Sequence, residues 1–424
     1  MHFVNSAFIF LLKLQYTMAK NNIKLGILKE TKTPPDRRVP ITPVLADKVL
    51  RNFLNIDLVV QPSELRCFKD EEYDYLNIDL QADLSDCDVL MGVKEVKIDK
   101  LIPEKTYMFF SHVAKKQPYN RDLLRAILNK KITLIDYEYL TYPNGMRIVA
   151  FGRWAGIVGA YNALRARGER TNNFALKPAY KCHDMEEMFG GLKKISLKPL
   201  KILITGGGRV AHGAMETLSV LDIRKVTPKE FLTQTFDEPV VCQIEPMHYV
   251  KRKDGGLFDM QHFINNPQEY KSTFKPYTKV ADIFIACHFW DDKSPKFIEK
   301  EDYLAPDFNI SIIADVSCDI DGPIASTLRA STIENPFYGY NPQKGVEEPA
   351  FTNPENITVM AVDNLPGELP RDASREFGKE LVDKVFPALF VDDQDGIIKR
   401  ATIAKNGKLT QKFSYLQDYV DSKE

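Results

Sequence analysis

The segment Lys201-Ile202-Leu203-Ile204-Thr205-Gly206-Gly207-Gly208-Arg209-Val210-Ala211 constrains this chain more than any other. A compact strand-like run passes without a break into three glycines, and Val210, Ala214, Met215 and Leu218 then recur at helical spacing. Strand, glycine turn and helix in that order belong to open, mostly parallel sheets. G-x-G-x-x-A at such a junction also has a ligand reading. Gly206 permits the tight turn, Gly208 lets the backbone approach a pyrophosphate, Ala211 allows close helix–strand packing, and the helix N-terminus faces the anion. The plain alternative is a glycine-rich turn with no ligand, and the strand–turn–helix context favours the nucleotide.

Upstream the same alternation recurs. Ile23–Leu28, Leu58–Val60, Val89–Val93, Tyr107–Ser111 and Thr133–Asp136 read as strands. Helical stretches lie between them, one opening at Thr42-Pro43 and one spanning Asn120–Asn129. Gly152–Arg167 carries Trp154, Ile157, Val158, Tyr161 and Leu164 at helical spacing and marks the start of a second domain. Further strands are expected at Ile223–Thr227, Ile283–Cys287 and Ile312–Val316. A polar, aromatic-spotted insertion is expected over residues 229–277, and a closing helix over Asp372–Phe386. Short strands alternating with helices predict parallel α/β sheets.

At 424 residues the chain has material for two or three domains, and 44% hydrophobic with 27% charged residues is the makeup of a globular protein. A formal net charge of −1 and the absence of long basic runs set nucleic-acid binding aside. The six cysteines are scattered, with no C-x-x-C pair and no cysteine–histidine cluster; they read as inert thiols in a reducing compartment, and no metal site is expected. Ala7–Leu12 is far shorter than the roughly 20 residues of a membrane span and makes a poor signal peptide. Residues 1–22 are expected to be a disordered leader or an over-long start, with no membrane partner and a cytoplasmic location.

Candidate chemistry lies where strands end, because in open α/β sheets the carboxyl ends of strands line the ligand crevice. Gly92-Val93-Lys94-Glu95 closes one predicted strand and Ser111-His112 another. A lysine and a histidine there divide proton-transfer work between two pKa ranges; solvated loop residues are the plain alternative. Arg38 and Arg147 follow other strands, and arginine grips carboxylates bidentately, although most surface arginines simply solvate. A dinucleotide site usually carries an acid about 20 residues past its glycines. Here that position is Val226-Thr227-Pro228, with Lys225 and Lys229 beside it and no acid until Glu230. Missing negative charge beside lysines slightly favours NADP over NAD, and an ordinary surface lysine pair is equally compatible.

Lys29-Glu30-Thr31-Lys32, Arg37-Arg38-Val39-Pro40-Ile41-Thr42-Pro43, Gly92-Val93-Lys94-Glu95 and Phe110-Ser111-His112 resemble the opening and the two catalytic segments of the alanine dehydrogenase and saccharopine dehydrogenase superfamily. Leu134-Ile135-Asp136-Tyr137-Glu138, Val149–Gly156 and Val362-Asp363-Asn364-Leu365-Pro366 are similar to its saccharopine branch, in particular to the lysine–2-oxoglutarate reductase half of the aminoadipic semialdehyde synthases. The resemblance implies two Rossmann-like domains with parallel sheets and a cleft between them. Residues 23–150 and 336–424 would form the substrate domain and residues 151–335 an inserted NAD(P)-binding domain. It implies Lys94 and His112 as the acid–base pair, Glu95 and Glu138 as their electrostatic neighbours, and Arg38, Gln117 and Arg147 as substrate-binding residues. Gly206, Gly208, Arg209, Val210, Ala211, Thr227 and Asp363 would lie toward the cofactor, NAD or NADP. Lys32 aligns with a family lysine only through a one-residue shift and is not assigned.

The implied reaction interconverts saccharopine with lysine and 2-oxoglutarate; the two condense to an imine that hydride from the nicotinamide reduces. Alanine dehydrogenase shares the Lys94, His112 and Arg38 motifs and is the runner-up. The other alternative, a nucleotide-binding sensor without catalysis, predicts damage at Lys94 or His112, and both are present. The oligomeric state is left open.

Overall fold

The computed structural model describes residues 22–34 and 36–423, which fall into two compact units. The expected leader over residues 1–22 lies, but for Asn22, outside the described residues. Unit 1 takes the described residues up to Ala150 and those from Pro370 onward, and unit 2 runs from Phe151 to Leu369.

In chain order, unit 1 begins with β1 (Ile23–Ile27), β2 (Ile56–Val60), β3 (Asp79–Leu80), β4 (Val89–Met91), β5 (Thr106–Phe109) and β6 (Thr133–Asp136). Unit 2 holds β7 (Lys201–Thr205), β8 (Arg224–Lys225), β9 (Val240–Ile244), β10 (Val250–Arg252), β11 (Tyr270–Ser272), β12 (Ile283–Ala286), β13 (Ile312–Asp315), β14 (Phe337–Asn341), β15 (Val346–Glu348) and β16 (Ile357–Met360). β17 (Thr402–Lys405) and β18 (Lys408–Leu409) return to unit 1.

The unit 1 sheet has the order β18-β17-β6-β5-β4-β1-β2-β3, parallel from β6 to β3, with β17 antiparallel to β6. Its central strands are continuous apolar runs because parallel strands are covered on both faces. Leu25, Ile27, Leu90, Met91, Tyr107 and Met108 are all fully buried. The helix Pro43–Asn52 starts with its proline in the first turn, where no intrahelical N–H is needed, and buries Ala46 and Val49. The helix Arg121–Asn129 buries Leu123, Leu124 and Ile127.

Unit 2 is a second eight-stranded sheet, β15-β14-β16-β13-β12-β7-β9-β8, parallel from β16 to β8. The helix Gly152–Thr171 lies against the helix Arg209–Ser219 at backbone contact. A Cβ on Gly156 would fall 1.8 Å from the Val210 carbonyl oxygen, and one on Gly213 2.0 Å from that of Arg153. Only glycine fits at either place, so this crossing fixes the helix that follows the glycine turn.

Three expectations are corrected here. Residues 229–277 are not all insertion, because Val240–Ile244 forms β9 beside β7, with Val240, Val241, Cys242 and Ile244 fully buried. Five apolar-rich residues in a polar stretch show too little periodicity to stand out. What does lie outside the main sheet there is the hairpin-like pair β10–β11. The chain also returns to unit 1 at Pro370 rather than at residue 336, because β14, β15 and β16 hydrogen-bond into the second sheet. Finally, the strand expected at Ile223–Thr227 shrinks to the two-residue edge strand β8.

All six cysteines are free, five of them buried. Among the described residues no helix is long and apolar enough to cross a membrane.

Candidate active site

Because β1, β4, β5 and β6 run parallel, their carboxyl ends share one edge of the unit 1 sheet. β4 delivers Lys94 and Glu95 there, β5 delivers Ser111 and His112, β6 delivers Glu138, and the loop after β1 delivers Glu30 and Lys32. Glu95 ties three of these segments together. His112 Nδ1 lies 2.6 Å from its Oε1, and Lys32 Nζ donates to its Oε2 at 2.8 Å. Burial pushes the Glu95 carboxyl up, but its bonds to His112 and Lys32 outweigh that and hold it at about 2. A carboxylate on Nδ1 fixes the ring and leaves Nε2 as the atom to exchange a proton.

His112 sits in the left-handed backbone region, φ 53° and ψ 10°, a conformation costing roughly 1–3 kcal/mol that persists only where neighbours enforce it. Glu95 holds the His112 ring, and Asp136 at the end of β6 anchors Ser111, the residue before His112. Asp136 Oδ2 accepts from the Ser111 amide at 3.0 Å and from the Ser111 hydroxyl, and its Oδ1 accepts from the Glu138 amide at 2.8 Å. Burial pushes this carboxyl up, and those donors offset part of the rise.

Lys94 is partly buried. Burial lowers the pKa of its ammonium, with Arg38 and Lys32 lowering it further and Asp36 and Glu95 opposing. A lysine depressed in this way exchanges its proton more readily at moderate pH than one in water.

The carboxylate-gripping residues fall out differently. Arg38 is buried and closed on Asp36, with Nε donating to Oδ1 at 2.9 Å and a terminal nitrogen to Oδ2 at 2.6 Å. Burial opposes the charge on Asp36, yet Arg38 holds its carboxyl well below the usual range. Arg147 is bonded to Glu138 while its side chain is 48% exposed. Gln117 is engaged elsewhere, receiving the Tyr119 hydroxyl on its side chain and the Tyr419 hydroxyl on its carbonyl.

In unit 2 the carboxyl end of β7 opens into the glycine turn. Gly206 has φ 101°, and a Cβ there would lie 2.6 Å from the Cys287 carbonyl oxygen, so it is required by both conformation and space. Gly208 caps the helix Arg209–Ser219, and a Cβ on it would meet nothing within 4 Å. Arg209 opens that helix exposed, Val210 is partly buried and Ala211 fully buried. Open space before a helix N-terminus, floored by glycine backbone, fits a pyrophosphate. Asp363 is exposed just past β16, at the same edge of the same sheet.

Thr227 is placed otherwise. It caps the short helix Pro228–Thr233, accepting from the Glu230 amide at 3.3 Å and donating to Glu230 Oε2 at 2.7 Å. β8 lies at the sheet edge, and β7 is flanked by β12 and β9. The residue following β9 is Glu245, whose Oε1 would stand 2.7 Å from a Cβ on Gly207. The acid sought near residue 227 is therefore present beside the glycine turn, supplied by a later strand. Lys225 reaches Gln243 at 3.0 Å.

Lys32, Glu30, Asp36 and Glu245 are the site residues that sequence reasoning left unassigned. The Lys29–Lys32 motif was the available signal for two of them; nothing local marks Asp36 or Glu245. Among the described residues no group of histidines, cysteines and carboxylates is arranged to hold a metal ion. Unit 1 also has an apolar cavity of about 800 Å³ lined by Val44, Leu45, Phe68, Tyr75 and Arg371, none of which belongs to the Glu95 cluster.

Residues 26–158 match the alanine dehydrogenase/PNT N-terminal domain, and residues 179–412 match the alanine dehydrogenase/PNT C-terminal domain. Alpha-aminoadipic semialdehyde synthase of Arabidopsis thaliana is 29% identical over 440 residues, covering 92% of this chain and 41% of that protein. The mitochondrial synthase of Mus musculus is 30% identical over 451 residues, covering 94% of this chain and 48% of that protein. The chain thus spans about half the length of these curated relatives. Saccharopine dehydrogenase (NAD(+), L-lysine-forming) of Schizosaccharomyces pombe is 26% identical over 394 residues, covering 87% of this chain and 94% of that protein. Among solved structures, L-alanine dehydrogenase shares the fold at a TM-score of 0.61 and 16% identity, covering 94% of this chain and 99% of that one. The Sinorhizobium meliloti transhydrogenase does so at 0.58 and 16%, covering 91% and 98%. With both of its domains matched in order, the chain belongs to the alanine dehydrogenase/PNT family.

Proposed function

We propose that this chain is a nicotinamide-dependent oxidoreductase that interconverts saccharopine with lysine and 2-oxoglutarate. The observation that carries the reading is Glu95 bonded to both His112 and Lys32 beside the depressed Lys94. Forming or hydrolysing a C=N bond needs protons moved at nitrogen and at oxygen, and two groups of different pKa suit that work. Lys94 and His112 exchange those protons, with Glu95 fixing the imidazole and Lys32 fixing Glu95. Arg147 meets a substrate carboxylate, and Arg38, closed on Asp36, acts on Lys94 through its field. The relatives named saccharopine dehydrogenase and aminoadipic semialdehyde synthase support this choice of substrate.

The nicotinamide group, when bound, supplies hydride transfer. The chain offers it the Gly206–Gly208 turn and the N-terminus of the helix Arg209–Ser219. Glu245 beside Gly207 favours NAD over NADP, since a carboxylate there accepts ribose hydroxyls and repels a 2′-phosphate. This replaces the charge argument from Lys225 and Lys229.

The test mixes purified protein with saccharopine plus NAD or NADP, and separately with alanine, while following absorbance of the reduced cofactor. Reduction with saccharopine and not alanine is expected. Reduction with alanine alone, or with neither, overturns the assignment.

A further inference from the structure

Glu30 takes no part in the mechanism above, yet it is bonded to the loop that carries Lys94. Its Oε1 accepts from the Val93 amide at 2.6 Å and its Oε2 from the Lys94 amide at 2.9 Å. These two consecutive N–H groups lie just beyond the end of β4. The adjoining residues are tied to β5 and its continuation, Gly92 N to the Met108 carbonyl at 3.0 Å and Phe110 N to the Val93 carbonyl at 3.0 Å. Glu30 therefore holds the two amides on the other side of the same turn. Space is equally tight, since a Cβ on Gly92 would stand 3.3 Å from Glu30 Oε1.

We propose that Glu30 is a positioning residue for Lys94: by clamping consecutive amides it sets where the Lys94 ammonium stands in the field of Arg38, Asp36, Lys32 and Glu95. The proposal rests on the reading of Lys94 as a proton-transfer group. Glu30 acts through the backbone. The groups whose charge bears on Lys94 are Arg38, Asp36, Lys32 and Glu95. The groups facing Glu30 itself are Asp36, Arg38 and the phenol of Tyr137, besides the two amides. Burial, helped by Asp36 and opposed by the amides and Arg38, pushes the Glu30 carboxyl up to about 8. On protonation one of its oxygens becomes a hydroxyl and a poorer acceptor, so the clamp loosens on one amide.

A backbone clamp and a through-space charge predict opposite signs. Loss of a nearby negative charge lowers a lysine's pKa, whereas release of Lys94 toward water raises it toward the ordinary value near 10.4. The experiment reads reductive methylation of Lys94 by formaldehyde and cyanoborohydride across pH, resolved by peptide mass spectrometry. It compares wild type, Glu30→Gln and Glu30→Ala. In Glu30→Ala the midpoint is expected to rise by about one unit, a tenfold fall in reactivity at fixed pH. Glu30→Gln, which keeps one acceptor oxygen in the same volume, should fall between. In parallel, kcat for saccharopine oxidation should drop roughly tenfold to 10²-fold in Glu30→Ala, as for a misplaced catalytic group, with KM held within a few-fold.

A lowered or unchanged Lys94 midpoint in both variants overturns the proposal, whatever happens to kcat. If Glu30→Ala does not fold, Glu30→Gln carries the same reading. Should wild-type protein not act on saccharopine, the proposed function fails, and the methylation arm still decides the role of Glu30.

Discussion

At the carboxyl ends of its parallel strands unit 1 joins charged side chains in one network, whereas the β7 end of unit 2 presents glycine backbone with Glu245 beside it. The first edge joins Lys32, Glu95 and His112 in one network with Lys94 in its field, and holds His112 in a left-handed conformation to do so. The second edge presents Gly206 and Gly208, and apart from its own chain neighbours nothing lies within 4 Å of where a Gly208 side chain would start. Two sheets built on the same parallel pattern thus differ in what their strand ends offer. One offers groups whose protonation changes, and the other offers N–H dipoles and room. Chemistry needs specific side chains, while pyrophosphate binding needs their absence.

The sharpest way to break this contrast is at Lys94 and His112. Lys94→Met and His112→Gln are each expected to lower kcat for saccharopine oxidation by roughly 10²–10⁴-fold. The two losses should not multiply in the double variant, since residues acting as a unit are non-additive. If both single variants keep wild-type kcat and pH dependence, the charged edge is scaffolding and the comparison collapses.

Next comes the pH dependence that only the charged edge should have. The Glu95 carboxyl is held at about 2 in the folded protein, below the ordinary 4.5. A depressed carboxyl stabilises the fold fully above its unfolded pKa, and that stability is lost as pH falls through the folded value. Urea unfolding of wild type against Glu95→Gln should differ by up to about 3 kcal/mol at pH 6, shrinking toward nothing near pH 2. A difference independent of pH would mean that Glu95 is not held as a carboxylate.

On the glycine edge, Gly208→Val should lower the melting temperature by no more than a few degrees, because its Cβ enters open space and only about 1 kcal/mol of helix capping is lost, yet weaken NAD binding roughly tenfold or more. Titration of intrinsic fluorescence with NAD checks it, and wild-type affinity would remove the pyrophosphate from that turn.

The smallest effect sharpens the picture further. Glu245→Gln should cut the preference for NAD over NADP, measured as a ratio of kcat/KM, by about tenfold, or 1.4 kcal/mol. An unchanged ratio, or a wild-type enzyme that prefers NADP, places the ribose elsewhere.

Much of this was legible from residues alone where burial forces a pattern. β6 and β7 match their expected spans end to end, because strands covered on both faces must be continuous apolar runs. Lys94, Glu95 and His112 stood out because each follows such a run directly. β9 was not legible: Val240–Ile244 is as buried as β7, but five residues between polar stretches carry no period to read. β14 (Phe337-Tyr338-Gly339-Tyr340-Asn341) owes its place to pairing with β16, a partner more than a dozen residues later.

The site divides along the same line. By itself the sequence determined which residues end strands and where glycine must stand, since these follow from local periodicity and from backbone conformation. Only the tertiary structure decided which strand lies beside which. It put β9 rather than β8 next to β7, which brings Glu245 to the glycine turn 37 residues past Gly208 instead of the 19 that separate Gly208 from Thr227. It also folded the loop after β1 onto the end of β4, so that Lys32 reaches Glu95 and Glu30 holds Val93 and Lys94. Hydrogen bonds across more than sixty residues of chain depend on sheet order, and sheet order is set by the packing of the whole unit.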